Sequence, residues 1–306
     1  MSATTSLDFQ QPFGAVPDVS ELLRTQQYVA DPALATAIFL SRRLGKPLFL
    51  EGEPGVGKTE VARALAQLLE VPLVRLQCYE GLDVAQALYE WNYGRQLLSL
   101  RASGDGASVD DLFRREFLIA RPLLRAIDPA ETGGRAVLLI DEIDRADEEF
   151  EAFLLEILAD YQVTIPEIGP IRAETPPVVV LTSNRTREVH DALKRRCLYH
   201  WIDFPSFDKE VEIVLRRVPE APETLAREAV ALVQELRSEE LFKRPGVAET
   251  IDWLQALLAL DQETLSDEIL ERTLGVLLKY QDDLERIDSE AARRLIQRSR
   301  AAGAGG

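Results

Sequence analysis

Apolar residues recur along this chain in two patterns, and the change from one to the other comes near residue 205. Before it, short runs rich in β-branched residues alternate with helical stretches. The runs are PLFLE (47–51), PLVRLQC (72–78), AVLLID (136–141), PVVVLTS (177–183) and LYHWIDF (198–204). Between them lie amphipathic segments such as TEVARALAQLLE, where Val61, Leu65 and Leu68 fall at helical spacing. Near-continuous apolar strands separated by helices predict an α/β fold whose parallel sheet is covered on both faces. From Ser206 on, FDKEVEIVLRRV, PETLAREAVALVQELRS, VAETIDWLQALLAL and SDEILERTLGVLLKYQDDLERI read as helices, with Pro222 in a first-turn position. The expected organisation is a flexible segment over 1–20, an α/β domain over 21–205, a helical domain over 206–300 and a disordered tail, AAGAGG, over 301–306.

One connection exceeds a simple crossover. An insert over about 84–125 carries ALYEWNYGRQLL, where the alternation of Tyr89, Trp91 and Tyr93 suits a strand, and SGDGAS, which suits a flexible loop. Inserts of this size in compact domains are usually functional.

The apolar run PLFLE leads into GEPGVGKT, residues 52–59. This fits G-x-x-x-x-G-K-[ST], with Gly52, Gly57, Lys58 and Thr59 at the fixed places and Glu53, Pro54, Gly55 and Val56 between them. Glycines let the backbone turn tightly so that successive N–H groups face a phosphate, and the following helix adds the positive end of its dipole. Lys58 is placed for the β- and γ-phosphates and Thr59 for magnesium. The pattern arises by chance in roughly one chain of this length per hundred. A strand entering and an amphipathic helix leaving make it a nucleotide site.

AVLLIDE places Asp141 and Glu142 at the end of an apolar strand expected to lie beside the loop strand. There one acid can hold the magnesium shell while its neighbour polarises water. Asp144 reads as a helix N-cap or a further acidic contact, the cap being favoured. PVVVLTSN ends in Asn184, an amide able to orient water or contact the γ-phosphate, or a turn residue. DALKRRC carries Lys194, Arg195 and Arg196, which with Arg185 and Arg187 make a basic cluster. One of these arginines, Arg196 ahead of Arg195, could reach a neighbouring subunit's ATP; the alternative is solvated arginines balancing nearby acids.

Composition narrows the partners. With 35 basic against 52 acidic residues the net charge is −17. That field repels nucleic acid and anionic membranes, so no nucleic-acid partner is expected. Two distant cysteines, Cys78 and Cys197, make neither a disulfide framework nor a zinc site and suit a reducing cytoplasm. The N-terminus reads as no signal peptide, and no apolar stretch approaches membrane-spanning length.

Taken in order, GEPGVGKT, LLIDEIDRA, LTSNRT, LKRRC and a helical remainder resemble an AAA+ ATPase, and more narrowly the MoxR family. The segment LLEILADYQVTIPEIGPIRAETPPVVVLTSN is similar to that family's hairpin, here about 160–176, and the insert lies where the family carries its helix-2 insert. Within the family, ALYEWNYGRQLL, DEIDRADEEFEAFLLEIL, TSNRTREVHDALKRRCLYHWIDFP and GVAETIDWLQALL look most like the CoxD-type branch, associated with maturation of molybdenum- and copper-containing carbon monoxide dehydrogenase. The resemblance implies a five-stranded P-loop sheet with a helical lid and a cytoplasmic hexamer that uses ATP and Mg2+. It also implies a remodelling chaperone with a von Willebrand A-domain partner and a metalloenzyme client. By the same resemblance Gly52–Thr59 bind phosphates, Thr59 and Asp141 hold magnesium, Glu142 is catalytic, Asn184 is sensor 1 and Arg196 the arginine finger. Many family members carry a lid arginine, sensor 2; the nearest counterpart here, KRPGVAETIDW, has Glu249 near its place, so that Lys243, Arg244 or no residue serves as sensor 2. The rival readings are a nucleic-acid motor subunit and a nucleotide-gated scaffold.

Overall fold

A computed structural model describes residues 13–103, 109–287, 290–291 and 294–298. Most of the N-terminal segment, most of SGDGAS and the tail therefore lie outside the described residues. The described residues group into two compact units: one holds those up to Gln26, those of 30–51 and those of 59–201, the other Gln27–Val29, Gly52–Lys58 and those from Ile202 on.

The strands in chain order are β1 (Leu48–Gly52), β2 (Leu73–Gln77), β3 (Tyr89–Trp91), β4 (Leu118–Ala120), β5 (Val137–Asp141), β6 (Gln162–Ile165), β7 (Gly169–Arg172), β8 (Val178–Ser183) and β9 (Leu198–Ile202). Five of them form a parallel sheet in the order β2-β5-β8-β1-β9. Each expected apolar run supplies one of its strands, and β1, β5 and β8 are buried along their whole length, as a sheet covered on both faces requires. The register aligns Gln77 with Asp141, Ile140 with Leu181, and Glu51 with Ser183, so the polar residues gather at the strands' carboxyl ends. Ligands of open α/β sheets bind at that edge. The helix Lys58–Leu68 follows β1, with Val61 and Leu65 sealed from water.

Two expectations fail here. The acidic strand β5 does not lie beside β1, because β8 intervenes and pairs with both. The run Tyr89–Tyr93 is not one strand either. β3 ends at Trp91, since the Asn92 side-chain oxygen accepts from the Arg95 N–H at 3.0 Å and starts the helix Tyr93–Ser103. β3 pairs with β4, and β6 with β7, as antiparallel ribbons, the second being the expected hairpin.

The second unit is built on the helices Phe207–Arg217, Glu223–Ser238, Val247–Ala259, Asp267–Leu277 and Gln281–Arg286. The last predicted helix is thus two: Lys279 donates to the Gly275 and Val276 carbonyls and closes the first of them, and the chain restarts after Tyr280. Pro222 stands one residue before its helix rather than in the first turn. Trp253, Leu254, Leu257, Val230, Leu232 and Leu270 are sealed in the core. An ion pair is sealed there too. Arg237 donates bidentately to Glu210 at 2.6 and 2.7 Å, and Thr250 and Gln234 complete the carboxylate at 2.8 and 2.7 Å.

Candidate active site

At the carboxyl edge of the first unit, Asp141 is buried and every oxygen of its carboxylate is engaged. Oδ1 accepts from the Thr59 hydroxyl at 3.1 Å and the Thr182 hydroxyl at 2.5 Å. Oδ2 accepts from Arg75 Nε at 3.0 Å and Nη2 at 2.6 Å. Thr182 also accepts from the Glu142 N–H at 3.0 Å, so one hydroxyl ties the two acids together. Glu142 itself has φ 55° and ψ 50°. A left-handed glutamate at a strand end is strained, and the cost is sustained only where the surroundings over-determine it. The side chain lies between Asn184, whose amide donates to Oε1 at 3.4 Å, and Arg145, paired with Oε2 at 2.9 Å.

Asp144 does not cap a helix. Asp147 does so for Glu148–Asp160, accepting from the Phe150 N–H at 2.8 Å. Asp144 instead reaches the loop after β8, where it accepts from the N–H groups of Asn184 and Thr186 at 3.2 and 2.8 Å and from the Thr186 hydroxyl at 2.7 Å. It holds the backbone that presents Asn184. Nearby, Cys78 is buried among Asp141, Asp144, Glu142 and Glu151. Burial first, and those negative charges second, push its thiol up to about 12.

The loop Gly52–Lys58 packs within the second unit. Gly55 and Gly57 have φ of 78° and 92°, which side-chain-bearing residues rarely adopt. The Lys58 ammonium lies along the loop and donates to the carbonyls of Gly52 and Glu53 at 2.8 and 2.7 Å. The Gly55 carbonyl accepts from the N–H groups of Val247 and Ala248 at 3.0 and 3.3 Å.

Residues 47–197 match the AAA domain of the dynein-related subfamily. The chain thus carries an AAA+ ATPase domain. It is 27% identical over 215 residues to the denitrification regulatory protein NirQ of Pseudomonas aeruginosa, covering 68% of this chain and 74% of NirQ. Solved structures resemble the chain remotely. RuvB of Thermotoga maritima aligns with a TM-score of 0.47 at 18% identity, over 92% of this chain and 74% of RuvB. A Cytophaga hutchinsonii protein aligns at 0.49 and 15% identity, over 92% and 93%.

The ATPase's residues fit a nucleotide with magnesium. The glycine torsions and the lysine lying inside the loop suit phosphate oxygens, and a hydroxyl with a carboxylate is a hard-oxygen pair of the sort magnesium takes beside phosphates and water. No group of three or more His, Cys, Asp or Glu able to hold a metal ion occurs among the described residues. No described helix is long and apolar enough to cross a membrane.

Of the ATPase's expected site residues, Thr59, Asp141, Glu142 and Asn184 are brought into one network, while Arg196 is not part of it. Arg196 donates to the Leu155 carbonyl, and Arg195 beside it is exposed without a hydrogen-bond or ion-pair partner among the described residues. Arg187 is taken up by Glu151 and the Ala146 carbonyl. Arg244 is exposed and Lys243 half-buried, whereas Glu249 turns back on its own helix start and accepts from the Gly246 N–H at 3.0 Å. Sequence reasoning missed Arg75 and Thr182 as members of the network. Thr182 lay in a run read only as strand, and a lone arginine in PLVRLQC is a weak signal. Its place in the middle of an otherwise apolar strand was the one clue.

Proposed function

We propose that this ATPase is a MoxR-type chaperone that hydrolyses ATP to remodel or mature a metalloenzyme, a molybdenum hydroxylase of the carbon monoxide dehydrogenase kind being the client favoured by the CoxD-like motifs. The observation that carries the catalytic half is the strained Glu142, held between Asn184 and Arg145 one residue from Asp141. Gly52, Glu53, Pro54, Gly55, Val56 and Gly57 surround the phosphates, and Lys58 draws charge off the β- and γ-oxygens. Thr59 and Asp141 hold magnesium, which when bound neutralises phosphate charge. Glu142 orients water and takes its proton, with one carboxylate oxygen kept in line by the Asn184 amide. Arg196 of the partner subunit, or Arg195 next to it, stabilises the charge that develops on transfer. AAA+ proteins commonly act as hexamers, and that assembly brings such an arginine to the neighbour's site. Lid, hairpin and insert then move against the client, with a von Willebrand A-domain protein as adaptor. The likeness to NirQ, a denitrification regulatory protein, supports a regulatory role. The charge of −17 weighs against a nucleic-acid motor and suits a cytoplasmic protein partner.

Glu142→Gln tests the reading in two steps. The variant should bind ATP like the parent and turn it over about 100-fold more slowly or worse, as loss of a general base requires. Loaded with ATP and magnesium, it should then retain a von Willebrand A-domain protein and a molybdenum hydroxylase from source lysate. Unchanged turnover sinks the assignment of Glu142. Retention of nucleic acid instead of protein leaves the ATP site standing and overturns the chaperone role.

A further inference from the structure

The place where the resemblance expects a lid arginine is occupied by a contact of another kind. Gly246 immediately precedes the helix Val247–Ala259 and meets Gly55 of the phosphate loop backbone to backbone. A Cβ on Gly246 would stand 2.8 Å from both the Gly55 Cα and the Pro54 carbonyl oxygen. A Cβ on Gly55 would stand 2.8 Å from a Glu249 carboxylate oxygen and 3.1 Å from the Gly246 Cα. Gly246 has φ −84° and ψ −177°, a conformation open to every residue, so its own torsions do not call for glycine. The closeness of the loop does, with a Glu249 carboxylate oxygen 2.9 Å from a Cβ on Gly246.

Three groups hold the contact shut. The first two amides of the helix, which have no partner inside it, donate to the Gly55 carbonyl. Glu249, at the third helical position, accepts from the Gly246 N–H and fixes the turn that points those amides at the loop. From beneath, Arg237 donates to the Pro245 carbonyl at 2.7 Å, so the buried Glu210–Arg237 pair sets the residue just before Gly246. Gly52, at the other end of the loop, is similarly pressed: a Cβ there would stand 2.2 Å from the Ile202 carbonyl oxygen.

We propose that Gly246 and Glu249 are positioning residues for nucleotide binding, holding the phosphate loop in shape at Gly55 through main-chain contact in place of a lid arginine. The proposal rests on Gly52–Thr59 being the nucleotide site. Lys58 spans the same short loop onto the Gly52 and Glu53 carbonyls, so a shift at Gly55 displaces the ammonium and the amides that face the phosphates. Glu249 acts through Gly246 and the loop; it touches no substrate in this scheme.

The test is ADP binding with magnesium by titration calorimetry, alongside thermal melting and ATPase kinetics. Gly246→Ala should raise the Kd for ADP about 10-fold or more, a displacement of the size that costs such factors in positioned sites. The KM for ATP should rise in step while kcat changes less. Glu249→Ala, which keeps the glycine contact but loses the cap, should raise Kd several-fold. Glu249→Gln, whose amide oxygen can still accept from Gly246, should return it to within about 2-fold of the parent, since the cap rather than the charge does the holding. Parental ADP affinity in folded Gly246→Ala and Glu249→Ala overturns the proposal, as does a Gln variant no better than Ala. Lys58→Ala separates the two claims. If it binds ADP like the parent, the nucleotide-site reading fails; if it loses ADP while the lid variants bind normally, only the positioning role fails.

Discussion

Asp141 and Glu210 are both nearly sealed from water, 3% and 0% exposed, and each is paired with an arginine, yet the two pairs are built differently. Glu210 is closed on every side by its own unit: Arg237, itself 6% exposed, grips both oxygens, and Thr250 and Gln234 supply the rest. The arginine's Nε donates to the Pro245 carbonyl, and its guanidinium lies over the Phe204 ring at 4.5 Å. Asp141 is held by hydroxyls on one oxygen and on the other by Arg75, whose side chain is 52% exposed. A partner half in water can withdraw and be replaced by a hydrated cation at little cost, whereas a partner sealed in the core cannot. The first arrangement suits architecture and the second exchange. Backbone strain divides them as well: Glu142, next to Asp141, has a positive φ, whereas Glu210 lies in the ordinary helix Phe207–Arg217.

Breaking the sealed pair should have the largest effect. Arg237→Ala leaves Glu210 charged and unpaired in the core, and chemical denaturation should find the second unit destabilised by about 3–5 kcal/mol. A loss under 1 kcal/mol would mean that water reaches Glu210 and the contrast is wrong. Thr182→Val sharpens the other side. It removes the hydroxyl shared by Asp141 and Glu142 and strands the Glu142 N–H, a penalty of about 1–3 kcal/mol. Because that penalty falls on the strained corner, turnover should drop about 10-fold or more with ADP affinity kept, and full activity would show that the strain at Glu142 is held by other means. The smallest effect is alkaline. Burial raises the Cys78 and Cys197 thiols from 9.0 to about 12, so the folded chain holds these protons more tightly than the unfolded one. Their contribution is complete below about pH 9 and falls away as pH rises toward 12. Denaturation midpoints between pH 8 and 10 should therefore fall less steeply in a Cys78→Ala, Cys197→Ala protein, checked on the variant's own baseline; equal slopes would mean that the thiols ionise normally.

The sheet was legible because its strands are apolar runs bounded by helical patterns, and the phosphate loop because glycine, lysine and threonine at fixed spacing leave few other readings. Asp141, Glu142 and Asn184 were legible as polar residues ending apolar strands. Arg75 and Thr182 were not, since their roles depend on which strands are neighbours, and β8 standing between β5 and β1 was not foreseen. The break after Leu277 escaped for a related reason. LGVLLKYQDDLERI keeps a helical pattern throughout, and its second half is tied down by distant partners: Asp283 accepts from the Phe242 and Lys243 N–H groups, and Arg286 donates to the Glu240 carbonyl.

By itself, then, the sequence determined what is local: the strand and helix periods, the torsions that glycines permit, and the acids and bases carried at strand ends. Contacts between residues far apart in the chain were decided only by the tertiary structure. Gly246 shows the division, since its torsions suit any residue and nothing nearby in sequence marks it. It must be glycine because Gly55, nearly two hundred positions earlier, comes so close that a single carbon between them has no room.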